Sequence, residues 1–157
     1  MLDLEKYSKI VVANWKMNGS LKFIDDFAEK LDLLQNSDQS ICNVICPPSI
    51  YLHYFSSKLK TFHLGSQDCS KYDEGAYTGD ISAKMLSDLN CHFCILGHSE
   101  RRNFYDEKNL DVSIKSSKCI NADIHPIICV GESLEEKKSN KTKDILKKQI
   151  QESIPDN

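Results

Sequence analysis

The sequence predicts an α/β domain built around a parallel sheet. Five short apolar segments of strand length recur along the chain, and each is followed by a segment with helical spacing. Strands that alternate with helices are typical of βαβ crossovers, each of which takes about 30 residues. Five such units account for residues 1–157 as a single domain. The predicted strands are residues 10–13, 41–46, 62–65, 93–96 and 126–130.

Helical spacing is clearest in residues 20–34, where apolar residues fall three or four positions apart and share one face. Pro47 and Pro48 indicate a second helix through residue 59, because proline suits a first helical turn. Residues 82–89 and 109–120 are predicted as the third and fourth helices. The apolar face of the first helix comprises Leu21, Ile24, Phe27, Ala28, Leu31 and Leu34.

A fifth helix is predicted in two parts. Ser133-Leu-Glu-Glu136 has the capping-box pattern, in which the first serine and the last glutamate bond to each other's backbone N–H groups. The helical pattern breaks near Ser139-Asn140 and resumes after Thr142 through Ile150. Each predicted strand is thus followed by one helical unit.

Composition excludes several classes of partner. A net charge of -3 offers no electrostatic footprint for nucleic acid or for an anionic membrane. The N-terminus has no apolar run of signal-peptide length, and no stretch approaches the roughly 18 apolar residues of a membrane helix. We therefore expect a soluble, cytoplasmic protein with neither a nucleic-acid nor a membrane partner.

The seven cysteines are an odd and scattered set, which favours reduced thiols in the cytosol over a disulfide framework. Cys91-His-Phe-Cys94 has a spacing that is also found in metal and redox sites. No second Cys/His pair stands at zinc-finger distance, and residues three apart on a strand face opposite sides. Core thiols are the preferred interpretation, with a metal or redox role as the alternative.

Residues 67–80 form the one long connection, which is rich in Gly, Asp, Ser and Tyr. A loop longer than about 12 residues in a compact domain is usually functional. This segment therefore indicates a partner or a substrate, although an exposed disordered loop is the alternative interpretation.

His98 lies where a strand stops and a helix begins. Phe93-Cys-Ile-Leu96 supplies the strand, Gly97 the tight exit and Ser99 the helix start. The positive end of a helix dipole disfavours a protonated histidine and keeps a neutral imidazole available as a hydrogen-bond donor. His98 is therefore a candidate electrophile, and a hydrogen-bonded structural histidine is the competing interpretation.

Other polar residues also follow the apolar strands, and ligands of parallel α/β folds bind beyond the carboxyl ends of the strands. Asn14 and Lys16 are two apart, so in extended chain both side chains leave one face with Trp15 opposite. These two side chains beside a neutral imidazole suit an anionic substrate that contains a carbonyl. The lysine would neutralise developing negative charge, and His98 would donate to the carbonyl oxygen. Taken singly, Lys16 could be a surface lysine and Asn14 a turn cap. The full strand-end set is Asn14, Lys16, Gln67, Asp68, His98, Glu100 and Glu132.

Four longer motifs decide between these alternatives. They are Ala13-Asn-Trp-Lys-Met-Asn-Gly19, Gly75-Ala-Tyr-Thr-Gly79, Ile95-Leu-Gly-His-Ser-Glu-Arg-Arg102 and Cys129-Val-Gly-Glu132. In order and spacing they resemble the triosephosphate isomerase family, over about residues 10–150. The first and third motifs are very specific.

The resemblance implies a TIM (β/α)8 barrel, of which five parallel strand-helix units are present. It implies an intramolecular aldose-ketose isomerase that interconverts glyceraldehyde 3-phosphate and dihydroxyacetone phosphate through an enediolate, in glycolysis and gluconeogenesis, without metal or organic cofactor. By position, His98 matches the catalytic electrophile, and Asn14 and Lys16 match the substrate-binding pair. Glu100 resembles the carboxylate that lies near that lysine.

The same resemblance implies a homodimer. Residues 75–79 match the loop that reaches into a neighbouring subunit. There it lies near the Asn14 and Lys16 of that neighbouring subunit. Thr78 is expected to be the contact residue of this loop, and Met17 to line the pocket that receives it.

The family's remaining parts have no counterpart in residues 1–157. The full barrel takes about 250 residues. Its next unit is expected to carry a Tyr-Glu-Pro-Val-Trp-like motif with the glutamate base, followed by a closing lid and glycine-rich turns that grip the phosphate. We therefore expect an incomplete barrel domain that is nearly inactive alone.

A fragment of this kind raises a second hypothesis about function. An open five-stranded sheet would expose its edges and leave the inward-facing side chains of all five strands only partly covered. The alternative to the enzyme is therefore a non-enzymatic remnant or fragment that pairs with another barrel chain.

Overall fold

Five parallel strands form one curled sheet in the computed structural model, which describes residues 1–32, 38–59 and 62–156. The strands neighbour one another in chain order, so every connection crosses over to the next strand. The predicted parallel α/β fold is therefore confirmed. The strands are β1 (Lys9–Asn14), β2 (Ile41–Cys46), β3 (His63–Ser66), β4 (Cys91–Leu96) and β5 (His125–Ile128).

The register aligns the carboxyl ends of the strands at one edge of the sheet. Asn14 pairs with Cys46 at the ends of β1 and β2, and Leu96 pairs with Ile128 at the ends of β4 and β5. Side chains that follow these positions therefore meet above the same edge.

Helices follow the strands as predicted, with one addition. A short helix stands between β4 and the predicted fourth helix, directly after His98. The helices are α1 (Leu21–Asp32), α2 (Leu52–Ser56), α3 (Ala83–Asp88), α4 (Ser99–Phe104), α5 (Asn109–Asn121), α6 (Leu134–Lys138) and α7 (Thr142–Ser153).

The apolar face predicted for α1 is largely confirmed. Ile24 and Leu31 are buried, and Phe27 and Ala28 pack against the same core. Leu21, at the first turn, is exposed, and Leu34 lies outside the described residues.

The second helix was expected to be continuous from the Pro47-Pro48 pair to residue 59, and this is wrong. A 3-10 turn, Ser49–Tyr51, precedes α2, which ends at Ser56. Ser56 and Ser57 donate from their hydroxyls to the carbonyls of His53 and Tyr54 at 2.8 and 3.0 Å. Serine side chains that compete for backbone carbonyls in this way favour the end of a helix.

The capping box predicted at the start of the fifth helix is confirmed. The Glu136 backbone N–H donates to the Ser133 hydroxyl at 3.2 Å, and the Ser133 N–H donates to the Glu136 carboxylate at 2.7 Å. The predicted break near Ser139-Asn140 separates α6 from α7, and Asn140 has a φ of 57°.

Among the described residues, the core has two parts, one on each face of the sheet. The larger part lies between the sheet and the helices and includes Ile24, Phe55 and Leu86. The smaller part lies on the opposite face, where Val44, Phe93 and Ile95 pack with side chains of the N-terminal segment. Those N-terminal side chains are Leu2, Leu4 and Tyr7.

The expectation that all five strands leave their inward face partly covered is therefore wrong for β2 and β4. Val44 and Phe93 are only 1% and 2% exposed, because the N-terminal segment covers them. The expectation holds for β1, an edge strand on which Ile10 and Val12, the neighbours of the inward-facing Cys42 and Val44, are 46% and 36% exposed.

Candidate functional site

A cavity of about 570 Å³ opens at the carboxyl ends of the strands. Residues from the loops after β1, β3 and β4 line it, together with charged residues of α4 and α5. The cavity brings together six of the seven strand-end residues that the sequence singled out. These six are Asn14, Lys16, Gln67, Asp68, His98 and Glu100.

Asn14 and Lys16 both line the cavity, although the chain between them is not extended. Lys16 has a φ of 52°, a left-handed conformation that is uncommon for a residue with a side chain. The Asn14 side chain stabilises this turn by accepting from the Lys16 backbone N–H at 2.9 Å. Trp15 points away and packs against Phe23 and Phe27.

Gln67 supports the same turn from β3. Its side-chain amide donates to the carbonyls of Lys16 and Cys46 at 2.9 and 2.8 Å. The loop after β1 is thereby joined to the ends of β2 and β3, so the position of the Lys16 backbone is fixed by three strands.

The Lys16 ammonium lies 2.7 Å from Glu100 Oε1, which is the contact expected for Glu100. The two side chains are 52% and 43% exposed, so water still reaches this pair. Lys16 holds the pKa of the Glu100 carboxyl below its usual range. Glu100 therefore remains an anion that holds the lysine head beside the cavity.

His98 is the N-cap of α4, and its side chain is part of the cap. The Glu100 backbone N–H donates to His98 Nδ1 at 3.3 Å. A ring nitrogen that accepts a hydrogen bond carries no proton, so the other nitrogen, Nε2, carries the proton of the neutral imidazole. The Glu100 carboxylate also lies 3.4 Å from Nδ1. The backbone N–H favours the tautomer with its proton on Nε2, whereas the carboxylate favours a proton on Nδ1.

Arg102 fixes the turn that carries His98. Its guanidinium donates to the Gly97 carbonyl at 2.7 Å, to the Asn109 side chain at 2.5 Å and to the Cys129 carbonyl at 3.2 Å. The end of β4, the start of α5 and the end of β5 are therefore joined by one side chain.

A group of charged residues in the cavity wall was, apart from Asp68, not predicted from the sequence. Lys115 lies between Asp68, at 2.8 Å, and Glu107, and Arg101 Nε lies 2.9 Å from Asp68. Lys115 and Glu107 are buried, with side chains only 9% and 4% exposed. Burial raises the pKa of Asp68 to about 6, although Lys115 and Arg101 oppose this change.

One signal in the sequence could have found Lys115. Val112 and Cys119 share its face of α5 at helical spacing, and both are buried. A lysine within a buried face needs an anionic partner. Asp68 and Glu107 are 47 and 8 residues away, so spacing alone could not identify them.

Glu132 is the one predicted strand-end residue that does not line the cavity. Its carboxylate accepts a hydrogen bond from the Thr142 hydroxyl at 3.0 Å, which turns it toward the start of α7. The strand-end rule places a residue at the correct edge of the sheet, but it does not determine the direction of the side chain.

The long connection after β3 leaves its tip exposed. Tyr72 and Tyr77 stack with ring centroids 3.7 Å apart, and the Ser70 hydroxyl donates to Asp80 at 2.6 Å near the base of the loop. Thr78 is exposed, and Met17 is 94% exposed beside the cavity.

The parallel sheet, the cavity at its carboxyl edge and the residues collected there define part of a (β/α)8-barrel protein. The family model of triosephosphate isomerase matches residues 9–157. The chain belongs to the triosephosphate isomerase family.

Individual relatives agree with this assignment. The chain is 42% identical over 148 residues to triosephosphate isomerase of Wolbachia sp. subsp. Brugia malayi (strain TRS), covering 94% of this chain and 62% of that protein. It is 38% identical over 143 residues to the enzyme of Francisella tularensis subsp. holarctica (strain FTNF002-00 / FTA), covering 90% and 56%. A crystal structure of triosephosphate isomerase from Bartonella henselae matches with a TM-score of 0.86 at 38% identity, covering 94% of this chain and 62% of that one.

The chain therefore spans about three fifths of the length of the relatives it matches. Within the described ranges, no helix has the length and apolar character needed to cross a membrane.

Proposed function

We propose that this chain supplies the electrophile and the substrate-binding pair of a triosephosphate isomerase site. The observation that carries the proposal is the meeting of Asn14, Lys16 and His98 at one cavity. The cap hydrogen bond to His98 Nδ1 supports a neutral imidazole whose Nε2–H is free to donate to a substrate oxygen.

The chemistry assigned to these residues follows from charge. A triose phosphate is an anion, and the half-exposed Lys16 ammonium attracts it while remaining within reach of solvent. Proton removal beside the carbonyl places negative charge on its oxygen as the enediolate forms. The His98 N–H then stabilises that charge more strongly than it binds the substrate, which is the condition for accelerating the reaction. Neither metal nor organic cofactor takes part in this proposal.

A base is also required, and the carboxylates that line the cavity are already engaged. Glu100 pairs with Lys16, Asp68 and Glu107 pair with Lys115, and Asp111 pairs with Lys71. Asp80 accepts the Ser70 hydroxyl. We therefore assign the base to the glutamate that the family resemblance places in the following barrel unit. Residues 1–157 alone should be nearly inactive, because electrophile and base act on the same substrate.

We also propose a cytoplasmic homodimer. The exposed tip at residues 75–79 would insert beside Asn14 and Lys16 of a second copy, with Thr78 as its contact and Met17 in the receiving wall. The exposure of Thr78 and Met17 and the stacked Tyr72 and Tyr77 support this role for the loop.

The proposal can be tested with a chimera in which residues 1–157 are followed by the remaining C-terminal part of the Wolbachia relative. We expect the chimera to isomerise glyceraldehyde 3-phosphate and the 157-residue chain alone to show almost no turnover. A folded chimera without activity would contradict the proposed site. Turnover by the chain alone that His98→Asn abolishes would contradict the assignment of the base.

The second candidate is a fragment that acts only by pairing with another barrel chain. The exposed apolar residues of edge strand β1 favour it, since such an edge can pair with a further strand. We would mix the 157-residue chain with the separately produced C-terminal part of the Wolbachia relative and measure the mass of the products. A stable one-to-one complex without isomerase activity would favour the fragment over the enzyme.

A further inference from the structure

Three buried cysteines from distant parts of the chain meet behind the cavity. Cys69 follows β3, Cys94 lies in β4 and Cys119 lies in α5, and their sulfur atoms are all within 4.8 Å of one another. Cys69 Sγ and Cys119 Sγ are 3.6 Å apart. We call these three residues the thiol cluster. The proposed isomerase chemistry does not use it.

The cluster differs from the Cys-x-x-Cys spacing noted in the sequence. Cys94 belongs to it, whereas Cys91 does not and instead affects the pKa of Cys46. The two cysteines of that spacing therefore do not act as a pair. The cluster is assembled by the fold, from residues that are 25 positions apart at their closest.

The separations suit a metal ion held by sulfur. Thiolates bind Zn²⁺ at about 2.3 Å, which places two sulfurs on one tetrahedral or trigonal ion roughly 3.8 to 4.0 Å apart. The Cys69–Cys119 separation is slightly below this range, and the other two separations are at most 4.8 Å, which is less than 1 Å above it. Small side-chain rotations would therefore bring all three sulfurs to bonding distance.

The thiolate is the form of cysteine that binds a metal, so each of the three thiols must lose its proton on binding. Lys115 lies one turn before Cys119 in α5, and its ammonium pairs with Asp68 and Glu107. A divalent ion with three thiolates carries one net negative charge, which this group of charged residues does not neutralise.

An ion can also reach the cluster. Cys69 is 4% exposed and forms part of the cavity wall, whereas Cys94 and Cys119 are fully buried behind it. The cavity therefore leads from solvent to the first ligand. All three ligands are sulfur, which selects thiophilic ions such as Zn²⁺ or Cd²⁺ over Mg²⁺ or Ca²⁺.

We propose that Cys69, Cys94 and Cys119 bind one thiophilic divalent cation of the Zn²⁺ class. The bound ion would join the loop after β3, strand β4 and helix α5, and each thiol that becomes a ligand would release its proton to solvent. The role is structural, because the ion lies behind the cavity wall.

The test uses Cd²⁺ alone as the probe, added to the reduced, metal-free 157-residue chain. Sulfur bound to cadmium absorbs in the ultraviolet through charge transfer, so the band reports thiolate ligation. We expect the band to saturate at one ion per chain and Cd²⁺ to raise the Tm, because a ligand that binds only the folded state stabilises it. The absence of a saturating band in the folded chain would overturn the proposal.

The decisive variant is Cys94→Ala, and Cys91→Ala is its matched control. Both residues are buried in β4, so both substitutions leave a similar small void, but only Cys94 belongs to the cluster. We expect Cys91→Ala to bind as the parent does and Cys94→Ala to bind at least about tenfold more weakly, with no rise in Tm. Equal binding by the two variants would overturn the site.

Two further measurements keep the test decisive. If Cys94→Ala does not fold, Cys69→Ser at the cavity wall replaces it, and we expect the same weakening of Cd²⁺ binding.

Mass spectrometry of the untreated protein would detect a Cys69–Cys119 disulfide by the loss of two hydrogens. A disulfide that persists in a reducing buffer and prevents Cd²⁺ binding would contradict the metal site.

Discussion

The Lys16 ammonium lies 2.7 Å from the Glu100 carboxylate, across 84 positions of sequence. This pair joins the turn after β1 to the first turn of α4, so the lysine head and His98 lie beside the same cavity. Both side chains are about half exposed. The pair therefore contributes to the position of the lysine more than to the stability of the fold.

Replacing Lys16 by alanine in the chimera should raise KM and lower kcat together. Under the proposed function, the substitution removes the charge assigned to attracting the phosphate ester and stabilising the enediolate, so we expect kcat/KM to fall by more than about 100-fold. The free energy of unfolding should change by less than about 1 kcal/mol, because the ion pair is exposed. Steady-state kinetics and urea unfolding measure the two effects.

Lys22→Ala is the matched control, since Lys22 forms an exposed ion pair with Asp26 on α1. It should leave both kinetic constants unchanged. A Lys16→Ala chimera with normal kcat/KM would show that substrate does not use this lysine.

His98→Asn in the chimera should lower kcat more than it raises KM. Asparagine retains a donor but places it differently, and the donor matters most as charge develops in the transition state. We expect kcat to fall by about 10² to 10³-fold. His53→Asn, on the exposed surface of α2, should have no effect on turnover. Unchanged turnover in His98→Asn would refute the role assigned to the imidazole.

The strands could be predicted from sequence because each is a short apolar run, and a parallel sheet buries such runs on both faces. The second helix could not, because the Ser56 and Ser57 hydroxyls end it by bonding to backbone carbonyls. The covering of Val44 and Phe93 by the N-terminal segment was also missed. No periodicity in that segment indicates where it packs.

The candidate site divides in the same way. Asn14, Lys16 and His98 lie within continuous motifs, so local sequence was sufficient to select them. Lys115 and the thiol cluster depend on residues that only the fold brings together. Spacing within one segment contains no information about contacts of this kind.

Lys115→Met should strongly destabilise the chain. The substitution keeps most of the side-chain volume but leaves the Asp68 and Glu107 carboxylates in the cavity wall without their shared ammonium. Removing one partner of a buried ion pair costs about 3–5 kcal/mol. Urea unfolding should therefore show a large fall in the free energy of unfolding.

Lys58→Met provides the comparison, because Lys58 forms an ion pair with Asp25 whose members are both partly exposed. That substitution should cost less than about 1 kcal/mol. Similar losses in the two variants would mean that burial does not strengthen the Lys115 contacts.

Gly97→Ala should also destabilise the chain and disturb the His98 turn. Gly97 has a φ of 66°, and a Cβ there would lie 2.7 Å from Arg102 Nη2 and 2.9 Å from Val112 Cγ2. We expect a loss of about 1 to 3 kcal/mol from strain and crowding. Gly131→Ala, where a Cβ would meet nothing within 4 Å, should stay within about 0.5 kcal/mol of the parent. Thermal or urea unfolding measures the loss of unfolding free energy in both variants. Equal losses in Gly97→Ala and Gly131→Ala would contradict this explanation.

Acid should destabilise the fold through two histidines on the inward face of the sheet. The ring centroids of His63 and His92 are 5.1 Å apart, and His63 Nε2 lies 2.9 Å from the Tyr7 hydroxyl. Burial lowers the pKa of both histidines, and neighbouring positive charges lower it further. His92 and Lys6 act on His63 in this way, and His125 and the N-terminal amino group act on His92.

The sign of the effect follows from proton binding. A histidine with a lowered folded pKa binds its proton more weakly in the folded than in the unfolded state, whose pKa is about 6.5. The stability that the two neutral histidines contribute is therefore fully present above a pH of about 6.5. It is lost as the pH falls from that value through their folded pKa. Asp68 acts in the opposite direction, because its pKa of about 6 lies above the unfolded value.

Variants separate the two contributions. His92→Phe removes one titrating ring and leaves Asp68 in place. The contribution of the Asp68 carboxyl is therefore the same in both proteins and drops out when their unfolding free energies are subtracted. We expect the variant to lose less stability than the parent between about pH 6.5 and pH 5 in urea unfolding curves. His53→Phe, at an exposed position, should follow the parent curve. If His92→Phe also follows the parent curve, the imidazoles on the inward face do not cause the acid sensitivity.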